Sequence, residues 1–277
     1  MARANIESIF HPSDFSAASE IAFAHALKIA LVTGATLHML HVASDFALEW
    51  EKFPAVRTTL ERWGLIPANS PKSAVIGLGI DVTKVIRSSA RPIRACLNFL
   101  DDHPADLIVL AIHQHEGRME WLERRVGGPL ARRANDVTLF LPHGVDGFVS
   151  LEHGCVSIRN IVIPVAAEPS FDPAIAAVGR LIDALGLPPG NVTLLHAGSQ
   201  DDIPYLRIPE NTGWTWRVEV QDRDPTELIL DVAKRQRADL IMMTTRGTQG
   251  FLDALRGRVS ERVLRGAPCA VASVPVQ

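Results

Sequence analysis

A chain of 277 residues with 47% hydrophobic content suits two ordinary domains, each able to bury its own core. A formal net charge of −3 and the lack of a long basic run exclude a partner held by the field of a nucleic-acid backbone. Residues 1–6 lack the apolar core of a secretory signal, and no apolar stretch reaches the roughly 18 residues of a membrane span, so no membrane partner and a cytoplasmic location are expected.

In chain order, residues 8–10 read as a short strand, and Ile21, Ala24, Leu27 and Leu31 then form one helical apolar face. Residues 36–42 are strand-like. Trp50, Phe53, Val56, Leu60 and Trp63 recur at helical spacing, with Gly64 placed to end that helix. A strand is expected at 80–86 and a helix from near Pro92, carrying Ile93, Cys96, Leu97 and Leu100. Leu107–Ile112 is the most apolar strand, as a parallel sheet covered on both faces requires. Cys96, Cys155 and Cys269 lie far apart with no CxxC spacing, and are read as buried thiols rather than a disulfide framework.

The chain then repeats itself. Ala105-Asp106-Leu107-Ile108 recurs as Ala238-Asp239-Leu240-Ile241 (238 − 105 = 133), and the strand ending at Pro142 recurs ending at Pro275 (275 − 142 = 133). Ile9-Phe10-His11-Pro12 recurs as Ile161-Val162-Ile163-Pro164, and Leu40-His41 as Leu195-His196. A repeat of this length is a pair of domains rather than a solenoid. Helix starts in the second copy are marked by Asp172-Pro173 and by Asp224-Pro225-Thr226-Glu227, each placing a capping side chain before a proline at the first helical position. From His41 to Ala105 the chain advances 105 − 41 = 64 residues, and from His196 to Ala238 only 238 − 196 = 42, so the second copy has lost most of the Trp50 to Trp63 helix or shrunk it to a loop. Strands alternating with helices predict an α/β fold, two tandem doubly wound, Rossmann-like domains at 1–148 and 149–277. Ligands of such sheets sit beyond the carboxyl ends of the strands.

After the fourth strand of the second copy, Thr244-Thr245-Arg246-Gly247-Thr248-Gln249-Gly250 leads to Gly257-Arg258-Val259-Ser260. Glycines there allow backbone N–H groups to approach an anion in front of a helix N-terminus, which suits a phosphate. The loop is not a P-loop, since no GxxxxGK[ST] occurs.

These segments carry a resemblance. Asp239 to Met243, the Arg246-Gly247 loop and Val259 to Cys269 resemble the C-terminal signature of the universal stress protein family, and His11 to Ser19 with Gly34 to Val42 resemble its N-terminal signature. The resemblance implies five-stranded α/β domains, tandem or dimeric through their last strands, with a stress-response role. Its ATP-binding members carry G-x-x-G-x9-G-[ST] after the fourth strand and an aspartate after the first. Matched to that pattern, the second copy has Thr244 for the first glycine, keeps Gly247 and Gly257, has Arg258 for the hydroxyl residue, and reads Pro164-Val165-Ala166 where the aspartate belongs. The first copy keeps Asp14 behind Pro12, but Ala111, Gln114, Arg124 and Arg125 occupy its loop positions.

The resemblance therefore implies a degenerate site for ATP or another adenine nucleotide, with Pro12, Asp14, Pro164, Val165, Thr244, Arg246, Gly247, Gly250, Gly257, Arg258, Val259 and Ser260 as candidate contacts. His11, His41, His113 and His115 follow strands one, two and four, and with Asp14 form a candidate Zn2+ site. No Gly-x-Ser-x-Gly or His-Glu-x-x-His motif occurs, so the chain is read as a non-enzymatic nucleotide-sensing or interaction module. Two alternatives stand beside it, a scaffold without nucleotide and a zinc-binding stress protein. The apolar segments 137–141 and 270–274 are expected to pair, joining the halves as an internal pseudo-dimer, with a homodimer of the whole chain also open.

Overall fold

A computed structural model describes residues 6–43, 52–112, 137–209, 213–245 and 258–276. The chain divides into two compact units, Met1–Gly128 with Val149–Cys155, and Pro129–Phe148 with Val156–Gln277.

The first unit contains β1 (Ser8–Ser13), α1 (Ala17–Thr33), β2 (Thr36–Ala43), α2 (Val56–Arg62), α3 (Ser73–Ile76), β3 (Val82–Ser88), α4 (Pro92–Asp102) and β4 (Leu107–Ile112). Its strands run parallel in the order β3-β2-β1-β4. The alanine- and leucine-rich α1 starts where the Ser16 hydroxyl accepts the Ser19 N–H, and ends at Gly34, whose φ of +71° only glycine adopts at low cost. It is buried nearly all round, and it packs on β1 and β4. On the opposite face Phe99 of α4 stacks on Phe10 of β1, with centroids 5.4 Å apart. Gly64, at φ +70°, follows α2 as its stop.

The second unit contains β5 (Val137–Pro142), β6 (Asn160–Val165), α5 (Asp172–Leu185), β7 (Asn191–Ala197), β8 (Thr215–Gln221), α6 (Pro225–Arg235), β9 (Leu240–Thr245), α7 (Arg258–Gly266) and β10 (Ala270–Pro275). The strand order is β5-β10-β9-β6-β7-β8. All neighbours are parallel except β5, which runs antiparallel to β10 with Phe140 opposite Val271 and Leu139 opposite Ala272. The expected pairing of 137–141 with 270–274 is thus present, so the last strand of the first repeat completes the sheet of the second. Between β7 and β8 there is a 3-10 turn at Gln200–Asp202 in place of the first copy's α2 and α3.

Two expectations are corrected. Asp224 does cap α6, accepting from Thr226 N–H and Glu227 N–H at 3.0 and 3.1 Å. Asp172 does not cap α5: Phe171 holds the N-cap position without a side-chain bond, and the Asp172 carboxylate instead accepts from the Ser170 hydroxyl. An Asp-Pro pair can open a helix one residue early because its carboxylate has a local competitor. Of the three thiols, Cys96 and Cys269 are buried and pushed up to about 12 by desolvation, but Cys155 is exposed.

The repeated Ala-Asp-Leu-Ile motif has a mechanical meaning. Asp106 Oδ2 accepts the backbone N–H groups of Glu7 and Ser8 at 2.8 and 3.0 Å, and Asp239 Oδ2 accepts those of Arg159 and Asn160 at 2.7 and 2.9 Å. Each carboxylate thereby fixes where β1 or β6 begins relative to its neighbour β4 or β9. Charge-assisted bonds of this kind are the stronger class. Asp239→Ala should lower the unfolding free energy by about 1–2 kcal/mol, and Asp239→Asn, which keeps one acceptor, by less. Urea denaturation of both variants measures this, and an Asn variant as unstable as the Ala variant contradicts it.

In the first unit, the segment Val149–Cys155 is held by α1 and α2. His25 Nδ1 donates to the Ile21 carbonyl at 2.8 Å, and its Nε2 accepts the Val149 N–H at 3.1 Å. Trp63 Nε1 donates to the Leu151 carbonyl at 3.0 Å, and its ring lies so close to Gly154 that a Cβ there would stand 2.4 Å from it. Burial holds His25 at about 4, against an ordinary 6.5, although the Ile21 carbonyl opposes the shift. Between those two pH values the unfolded chain binds more protons than the folded one, so stability rises with pH across that window. It is complete at neutrality and is lost as pH falls from 6.5 to about 4. The shift corresponds to about 3 kcal/mol. His25→Gln keeps an acceptor for Val149 and does not titrate, so it should flatten the fall in stability measured by denaturation at pH 7 and pH 4.5. An unchanged slope contradicts the assignment.

Candidate functional site

The carboxyl ends of the central strands carry the candidate residues, and the two units treat this position differently. In the first, β1 runs through Ser13-Asp14-Phe15 into α1. Phe15 has φ +64°, a conformation costing a bulky residue of order 1–3 kcal/mol, and its ring stacks on His41 at 3.8 Å. Phe53 stands edge-on to both rings, at 5.2 and 6.3 Å. His41 Nδ1 donates to the Ser13 carbonyl at 2.6 Å. Three aromatic rings therefore occupy the end of β2. Pro12 is half-buried and Asp14 exposed. The Asp14 carboxylate accepts from the Ser16 N–H and hydroxyl at 3.0 and 2.6 Å, which turns it back onto its own loop.

The predicted zinc constellation does not assemble among the described residues, where no group of three or more His, Cys, Asp or Glu side chains is placed to hold a metal. His11 is fully buried, its Nδ1 donating to the Val109 carbonyl at 2.9 Å and its Nε2 lying 3.5 Å from the Ser19 hydroxyl. Desolvation holds it down at about 4, with the Val109 carbonyl and the Asp14 charge opposing, so it is a neutral core histidine. His41 is used for the Ser13 bond and the Phe15 stack. His113 and His115 lie outside the described residues, as do Gln114, Arg124 and Arg125.

In the second unit, β6 ends at the half-buried Pro164 and the buried Val165, and His196 of β7 donates from Nδ1 to the Val165 carbonyl at 3.1 Å, the counterpart of the His41 bond. Ala167 stands where the first copy has Phe15 (15 + 152 = 167, the offset of Pro12 to Pro164), so among the described residues no ring caps this histidine. His196 is 7% exposed, yet its Nε2 is buried with no hydrogen-bond partner among the described residues. The Thr244 hydroxyl, near the end of β9, is likewise buried and unpartnered. Val165 pairs with His196, and β6 meets β9 at Val162 and Ile241, so three steps further along Thr244 stands level with Val165. Two unsatisfied polar atoms thus flank one strand end. Val259 and Ser260 are half-buried in the first turn of α7. Arg246, Gly247, Gly250 and Gly257 lie outside the described residues, and so does the side chain of Arg258. A cleft of about 430 Å3 lies at the other end of the sheet, between the turn after β5 and the start of β9, lined by Asp146, Lys234, Arg237 and Asp239.

Sequence reasoning used Leu-His to align the copies and His41 as a candidate zinc ligand, and it missed Phe15 and His196 as the residues that set the two sites apart. The signal lay in the comparison of Phe15 with Ala167.

Two doubly wound parallel sheets, each with a histidine anchored at the carboxyl end of its central strand, define a tandem α/β protein of Rossmann-like architecture. The model of the universal stress protein family matches residues 6–140 and 209–275, and the chain belongs to that family, whose members are stress-response proteins. A universal stress protein of Methanocaldococcus jannaschii is 35% identical over 79 residues, which is 28% of this chain and 46% of the relative, so the chain spans under half of that protein's length. The crystal structure of a universal stress protein from Archaeoglobus fulgidus superposes with a TM-score of 0.59 at 14% identity, covering 97% of this chain and 98% of the other. A functionally unknown protein from Pseudomonas aeruginosa gives 0.55 at 14% identity, covering 98% and 92%. At that identity these two share the fold. Among the described residues no helix is long and apolar enough to cross a membrane.

Proposed function

We propose that the chain is a non-enzymatic stress-response module that takes up an adenine nucleotide weakly, and only in its second unit, at the ends of β6, β7 and β9. The observation that carries this reading is the pair of buried, unpartnered atoms, His196 Nε2 and Thr244 Oγ1, on either side of Val165. Leaving such an atom unmade costs about 1–3 kcal/mol, and a ligand with a polar edge recovers that cost. Among the described residues the first unit offers no equivalent, because Phe15 and Phe53 already cover His41. Gly247 and Gly257 retain the backbone that the family resemblance assigns to phosphates, and Arg258 in place of a small hydroxyl residue is the reason to expect weak binding.

Thr244→Val removes the orphaned hydroxyl at nearly constant shape. It should raise the unfolding free energy of the free protein by about 1 kcal/mol while weakening ATP binding several-fold in titration calorimetry. Combining it with His196→Leu should weaken binding further, by about tenfold or more. Unchanged affinity in the double variant removes the site from these strands. Wild-type protein that takes up no ATP at millimolar concentration overturns the nucleotide reading itself.

A further inference from the structure

The hydrogen bond at the end of β7 determines which kind of group a ligand must bring to it. His196 Nδ1 lies 3.1 Å from the Val165 carbonyl, and a carbonyl only accepts, so Nδ1 carries the ring hydrogen. In the neutral imidazole the other nitrogen then has none. Nε2 is therefore an acceptor, and it is the atom buried without a partner among the described residues. A phosphate oxygen or a carbonyl, each an acceptor itself, leaves it unsatisfied. An N–H or O–H group does not.

Two positions at these strand ends carry smaller residues than their counterparts in the first copy. Ala167 replaces Phe15, and Gly198 replaces Ala43 (43 + 155 = 198, the offset of His41 to His196). A Cβ built on Gly198 would lie 2.8 Å from His196 Nε2, and the three atoms nearest to it all belong to that ring, the other two at 3.4 and 3.6 Å. That is too close for a carbon atom but within hydrogen-bond distance of a donor. Glycine at 198 thus omits the one methyl group that would stand against the nitrogen. Thr244 Oγ1, on the other side of Val165, is a hydroxyl that both donates and accepts, so discrimination between donor and acceptor falls to the histidine.

We propose, resting on nucleotide uptake by the second unit, that His196 Nε2 accepts a hydrogen bond from an amino or hydroxyl group of the ligand that enters past Gly198. The nucleoside end, not the phosphates, then meets β7. ATP offers such donors in two places, the 6-amino group of adenine and the ribose hydroxyls. A site holding a buried acceptor rejects an analogue that lacks the matching donor far more strongly than an apolar wall rejects a missing methylene.

Titration calorimetry of the full chain with three ligands tests this: ATP, purine riboside triphosphate, which lacks the 6-amino group, and 2′,3′-dideoxy-ATP, which lacks both ribose hydroxyls. One of the two analogues should bind about tenfold or more weakly than ATP, and which one does so identifies the donor. In His196→Leu the difference between ATP and that analogue should disappear. Gly198→Ala should weaken ATP by about tenfold or more, with circular dichroism and melting temperature at wild-type values. If Gly198→Ala disturbs the fold, the analogues and His196→Leu decide alone. Wild type that binds ATP and both analogues equally overturns the proposal and leaves nucleotide uptake standing, and so does a difference that His196→Leu leaves intact. Wild type that takes up no ATP at millimolar concentration overturns the uptake and the proposal together.

Discussion

The antiparallel ladder between β5 and β10 is the contact on which the second unit depends, because it disposes of an edge that could not face water. Val271, Ala272 and Val274 are at most 4% exposed, and on the other side Leu139, Phe140 and Leu141 are equally buried. An unpaired strand of that composition is a template for aggregation. With β5 in place, β10 becomes an interior strand with a partner on both sides, and β9, paired with β10 and β6, lies one strand further from the edge. His196 and Thr244 stand on the strands that flank β6 in that sheet. Only β8 is left to end the sheet on that side of β7.

The fold was readable because its determinants are periodic or punctuated. The run Leu107–Ile112 matched its strand residue for residue, Gly64 followed the helix it was placed to stop, and the length difference after His41 and His196 marked the missing helices of the second copy. What escaped were contacts between residues distant in sequence. Asp106 and Asp239 were visible as repeated letters, but a carboxylate that reaches back 99 or 80 residues to a strand's first N–H groups leaves no local trace. The Phe15 stack depends on a left-handed backbone at a bulky residue, which no propensity would suggest. Asp172 illustrates the local limit, since one hydroxyl at Ser170 was enough to change what its carboxylate does.

His11 and His41 serve the backbone rather than a metal among the described residues, for a physical reason. Imidazole suits metals, and it suits buried carbonyls equally well when held neutral. His11 and His25 each satisfy backbone groups inside the first unit, and burial pushes both down to about 4. His41 and His196 anchor the ends of central strands through the same Nδ1 bond. The two latter residues share one role in the fold, and among the described residues a phenylalanine stacks on His41 whereas no ring lies against His196. That difference between Phe15 and Ala167 is invisible in composition.

Donation of β5 to β10 within one polypeptide also changes how the assembly responds to dilution. Two separate chains joined by such a ladder dissociate as their concentration falls, whereas strands on one chain meet at an effective concentration set by the connection between them. The second sheet is therefore complete in every copy of the molecule, however few there are. A two-chain dimer is also bound by symmetry to change both of its strand ends together. A single chain is not, and one copy is free to place a phenylalanine where the other keeps an alanine.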